Sequence, residues 1–122
     1  MNSCPLIPIS IGELLDKISI LSIKYQHTKN ENVMKELNDL IKIAKKENVY
    51  IEKYVTELLQ INRTLWAIED RIRLLEDQNS FGDEFISLAR SVYKNNDRRS
   101  EIKRKINEET ESEYSEIKFY NK

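Results

Sequence analysis

The sequence predicts an all-α protein of four helices, a small bundle in which two long helices fold back on each other as an antiparallel, coiled-coil-like hairpin. Two long tracts of helix-spaced apolar residues, from Val49 to about Glu113, meet at Asn79-Ser80-Phe81-Gly82. Two glycines, two prolines and 34% charged residues leave few turns and favour helix. At 122 residues the chain is long enough for one hydrophobic core but not for two halves.

Residues 1–9 are expected to be extended, because Pro5 and Pro8 disfavour helix in the residues before them. Ser10-Ile11-Gly12-Glu13 reads as a capping box, with Ile9 and Leu14 at the staple positions on either side. Ile11, Leu14, Leu15, Ile18, Leu21 and Tyr25 then mark one face of a first helix, to about His27. Ile20 and Ile23 lie off that stripe, which predicts burial on a second side or contact with another subunit. Asn30 or Asn32 can cap a second helix, whose face is Val33, Leu37, Leu40, Ile41 and Ala44 and whose end is Lys45-Lys46.

The third helix carries Ile51, Tyr54, Val55, Leu58, Ile61, Leu65, Ile68, Ile72 and Leu75, close to one every 3.5 residues, on a rod of about 43 Å. Ser80 and Asp83 are spaced as a cap pair for the fourth, whose seam is Phe85, Leu88, Ala89 and Val92, then Ile102 and Ile106. The acidic stretch Glu108–Glu116 is expected to fray, and Ile117-Lys118-Phe119-Tyr120 to form an extended tail that docks on the body. The domain organisation is therefore an N-terminal segment 1–9, a helical domain 10–113 and a tail 114–122.

Composition narrows function. The single cysteine, Cys4, cannot make an internal disulfide, and His27 is the sole histidine, so no cofactor or transition-metal centre is expected within one chain. The net charge of −1 argues against a uniformly polyanion-binding protein. The N-terminus lacks a basic region before its proline-broken apolar run, and no stretch approaches the ~20 apolar residues of a membrane span. A cytoplasmic location is the expectation.

Both long helices carry polar interruptions at matching distances from the turn. Folding about Ser80 brings Asn62, Trp66, Glu69 and Asp70 level with Arg90, Tyr93, Asn95, Asn96, Asp97 and Arg98, and the first helix can add Glu13, Asp16, Lys17 or Lys24. Such a layer is either a buried network that sets register or a pocket that binds a small anion through Arg90 and Arg98, with Lys17 as a further candidate. Lys94, Arg98, Arg99, Lys103, Arg104 and Lys105 form a basic stretch, in which Arg99, Lys103 and Arg104 are candidate nucleic-acid contacts. Asp97 and Glu101 dilute it, so a solvated face laced with ion pairs is the preferred reading.

Three segments carry a family resemblance: Ser10-Ile11-Gly12-Glu13-Leu14-Leu15-Asp16-Lys17-Ile18, Leu65-Trp66-Ala67-Ile68-Glu69-Asp70-Arg71-Ile72-Arg73, and Phe85–Tyr93 with Asn96, Asp97 and Arg98. The chain resembles an uncharacterised family, a domain of unknown function, of short helical proteins from bacteria and bacteriophages. That resemblance implies an intracellular helical protein and no particular activity; its polar motif members fall on the layer described above. A weaker likeness to helical chorismate mutases lacks their first-helix arginines, since only Lys17 and Lys24 are available there.

The expected function is a non-enzymatic interaction or assembly protein, for which the resemblance leaves a phage origin open, forming a homodimer and binding an unidentified protein through exposed helix faces. The alternatives are a small-anion-binding or enzymatic bundle with a cationic pocket, and a nucleic-acid-binding helix at 94–105.

Overall fold

The computed structural model describes residues 3–116, and these form four helices and no strand: α1 (Ile11–Thr28), α2 (Glu31–Lys46), α3 (Glu52–Asp77) and α4 (Asp83–Glu109). The all-α expectation holds. The proposed tail at Ile117–Tyr120 lies outside the described residues.

The helix starts show which sequence signals act. The Ser10 hydroxyl accepts from the Glu13 amide at 3.0 Å. The other half of the expected capping box is replaced, because the Glu13 carboxylate takes the Lys103 ammonium at 2.8 Å. Asn30 caps α2, its Oδ1 accepting from the amides of Asn32 at 2.8 Å and Val33 at 3.2 Å. Ser80 does not cap α4. Gly82 holds that position without a side-chain bond, and the Ser80 amide instead donates to the Leu75 carbonyl at 2.8 Å, closing α3.

The helix ends are closed without glycine. Asn48, Asn79 and Glu111 adopt left-handed φ of 58°, 53° and 54°. The amide after each returns to the helix: Val49 to Ala44 at 2.9 Å, Ser80 to Leu75 and Ser112 to Asn107 at 2.8 Å. This closure satisfies carbonyls that would otherwise be orphaned, which offsets a left-handed cost of about 1 kcal/mol per residue. The expected fraying of 108–116 is therefore corrected for the described part. After α4 closes, the Ser112 hydroxyl accepts from the Ile11 amide at 3.2 Å, and Glu116 pairs with Lys103 at 3.2 Å.

Helix α1 packs against each of the other three, and α3 packs on α4. The core joins Leu14, Leu15, Ile18 and Leu21 of α1 to Leu37 and Ala44 of α2, Tyr54, Val55 and Leu58 of α3, and Ile106 of α4. With neighbours on three sides, α1 also buries Ile23, which explains an apolar residue off its main stripe. Its N-terminal end meets α4 closely at Gly12, where an added Cβ would lie 2.7 Å from the Lys103 carbonyl oxygen.

Near its C-terminal end α1 touches α3 through Gln26 with Arg63 and His27 with Trp66. Past Trp66, α3 continues to Asp77, about 16 Å further at 1.5 Å per residue. This stretch and the first turns of α4 form an arm. Ile68 and Leu75 are buried in it, Ile72, Phe85 and Leu88 are half-buried, and Leu74, Phe81 and Ile86 are exposed. Arg71 binds both carboxylate oxygens of Glu84, at 2.9 and 2.8 Å, across the arm.

Candidate functional site

Asp16 is wholly buried on the face of α1 that α3 and α4 share. Its carboxylate survives there because it is fully bonded: Arg99 donates through Nε and Nη2, the former at 2.9 Å to Oδ1, and Asn62 Nδ2 donates to the same oxygen at 2.9 Å. Ser19 completes the group, its hydroxyl donating to the Asp16 carbonyl at 2.7 Å and accepting from Asn62 Nδ2 at 2.8 Å. One carboxylate thus holds three helices in register. The hydrogen bonds that Arg99 donates to Asp16, reinforced by the charges of Asp16, Glu13 and Glu116, raise the Arg99 pKa above its ordinary value against the opposing effect of burial.

One turn along α4, Lys103 is buried and bridges Glu13 at 2.8 Å and Glu116 at 3.2 Å. Burial is the largest influence on this ammonium and works to lower its pKa. The Glu13 hydrogen bond together with the charges of Glu13, Asp16 and Glu116 outweighs it, and the net direction is upward. A turn further, Asn107 Oδ1 accepts from the Gly12 amide at 2.7 Å.

Beside the Asp16 group, where α1 nears its end, α1, α3 and α4 leave a groove of about 520 Å³. Ile20, Ile23, Leu65 and Val92 supply apolar wall; Asn62, Asn96 and Arg99 lie at its inner side, with Trp66, Glu69, Asp70 and Arg73 from α3. Trp66 is stacked on His27, the ring centroids 4.6 Å apart and the planes within 10°. Glu69 has Arg73 at 3.9 Å, a loose exposed pair.

Of the residues singled out from the sequence, the structure brings Asn62, Trp66, Glu69, Asp70 and Asn96 to this groove. Asp16 lies buried behind it. Glu13 is one turn away on Lys103, and Lys17 is exposed with Glu36 at 3.6 Å. Arg90, Tyr93, Asp97 and Arg98 are exposed and do not line it. The cation that does reach the Asp16 group is Arg99, one residue from Arg98 and about 100° around the helix. Two of the three candidate nucleic-acid contacts, Arg99 and Lys103, point inward into ion pairs. The third, Arg104, is exposed with Glu101 at 3.8 Å. The chain does carry the signal for this: Val92, Asn96, Arg99, Lys103 and Ile106 follow one another at spacings of four and three, a single inward stripe. Arg73 ends the second family-like segment, whereas no sequence pattern singles out Ser19, Asn107 or Ser112.

Among the described residues no group of three or more His, Cys, Asp or Glu side chains is placed to hold a metal ion, and no helix is long and apolar enough to cross a membrane. The profile described as "Family of unknown function (DUF6165)" matches residues 6–122. The chain belongs to that family. No curated protein and no solved structure matches it. The family's description assigns no activity to the chain.

Proposed function

We propose that this protein is a non-enzymatic assembly module in which α3 and α4 act as one antiparallel, coiled-coil-like hairpin, and in which the arm of that hairpin binds a second copy of the chain. The observation that carries the reading is the length of α3 and α4 beyond the last contacts of α1. Ile86 and Ala89 stand on one exposed face of α4 there, and Tyr93, level with the groove, continues that face at the i, i+3 and i+7 spacing of a helix-packing stripe. Pairing two arms about a two-fold axis sets each stripe against its equivalent and gives a four-helix arrangement. The arm carries both charge signs, Arg71, Arg73 and Arg90 with Glu69, Asp70, Glu76, Asp77, Asp83 and Glu84, an acidic excess but not a field of a single sign.

The buried charges support a structural rather than catalytic role. Asp16 has its oxygens bonded by Arg99 and Asn62, and Lys103 is held between two carboxylates. Both are committed to fixed partners inside the bundle. Size-exclusion chromatography with light scattering tests the reading: the wild type should have twice the chain mass at micromolar concentration, and Ile86→Lys should be monomeric with unchanged helicity. A monomeric wild type at the highest soluble concentration refutes it.

A further inference from the structure

The geometry points to the groove between α1, α3 and α4 as a binding site for an amide-bearing organic cation, the chemistry of an arginine or lysine residue within a peptide. This goes beyond self-association and uses different residues from the exposed stripe on the arm.

Three features of the groove select that chemistry. Asn62 and Arg99, which both donate to Asp16 Oδ1 and both line the groove, each keep one polar group uncommitted. Asn62, only 6% exposed, commits Nδ2 to Asp16 and Ser19, leaving Oδ1, which accepts from no described residue. Arg99 binds Asp16 through Nε and Nη2, leaving Nη1 without a partner among the described residues. An amide N–H and C=O fit that pair of groups. The charge of Arg99 is cancelled by Asp16, so the inner side presents hydrogen bonds rather than net positive charge, and a free carboxylate gains little there. Ile20, Ile23, Leu65 and Val92 then give an apolar channel for an alkyl stem. At the α3 side Glu69 and Asp70 outnumber Arg73, whose contact with Glu69 is long at 3.9 Å, and Asp70 has no ion pair among the described residues. A cation at the end of the stem meets a net negative rim. The volume of about 520 Å³ lies within the range of small-ligand sites.

Trp66 is the only tryptophan of the chain and lines this groove, so its emission reports occupancy directly. The probes are N-acetyl-arginine amide, its uncharged counterpart N-acetyl-norleucine amide, butylammonium, which has the cation without the amide, and N-acetyl-glutamate amide. N-acetyl-arginine amide should shift Trp66 emission saturably and bind more tightly than the other three. The double variant Glu69→Gln, Asp70→Asn, at exposed positions, should weaken it about tenfold and leave the norleucine amide unchanged. Equal or tighter binding of the glutamate amide overturns the proposal. So does butylammonium matching the arginine amide, which would mean the inner side plays no part, and so does the absence of any saturable shift.

Discussion

Removing the carboxylate of Asp16 should cost more stability than any other single polar change in the chain. Asp16→Ala takes away the acceptor of the Arg99 fork and of Asn62 Nδ2 in a place with no solvent exposure. Breaking a buried pair by deleting one partner costs roughly 3–5 kcal/mol, since the other charge is left uncompensated. Arg99 retains 26% of its side-chain exposure and can turn part of its guanidinium to water, while Asn62 keeps Ser19. The lower end, about 3 kcal/mol, is therefore the expected loss, a decrease of roughly 10 °C in Tm for a domain of this size. Urea unfolding followed by circular dichroism measures it, with the midpoint lowered and the slope unchanged. The double change Asp16→Leu with Arg99→Met removes both charges together and should restore most of the loss, because the desolvation penalty goes with them. A cost below about 1 kcal/mol for Asp16→Ala, the range of an exposed pair, would refute the reasoning. A double variant as unstable as the sum of the two single changes would refute it equally.

Gly12→Ala should destabilise by about 1–3 kcal/mol although alanine is the better helix former, because the new methyl would meet backbone at 2.7 Å and push α1 from α4; a more stable variant by thermal melting would show that the helices separate freely. Lys103 has a raised pKa in the folded protein, so its contribution to stability is complete below the unfolded value near 10.5 and is lost as pH rises through the folded value. The wild type should accordingly lose stability relative to Lys103→Met only in that alkaline window, as read from urea midpoints across pH; a difference that instead changes between about pH 7 and about pH 9 would contradict the assignment.

What was legible in the sequence was local. Ser10 and Asn30 announce their helices because a capping side chain bonds amides two or three residues away, and Leu14, Leu15, Ile18 and Leu21 announce a face because helical spacing puts them together. The helix ends were obscure for the opposite reason. Asn79 closes α3 in the left-handed region without glycine, which recruits the Ser80 amide and leaves that serine unavailable as the cap of α4. The Asp16 group was half visible. Asp16 and Asn62 were named, but Arg99 was read with its basic neighbours because its partner lies 83 residues earlier in the chain. Lys103 and Glu13 are 90 apart. The four-and-three spacing of Val92, Asn96, Arg99, Lys103 and Ile106 shows which side of α4 turns inward, but it does not name Asp16 and Glu13 as the partners, which only the placement of α1 against α4 decides.

The proposal that two arms pair is tested most directly by a distance. With Cys4, the only cysteine and an exposed one, replaced by serine, a spin label at Ser87→Cys on the exposed side of the arm reports on the partner arm alone. Double electron–electron resonance should give one narrow, short inter-label distance that disappears in Ile86→Lys. An undamped signal without dipolar modulation at high protein concentration would contradict the pairing of arms.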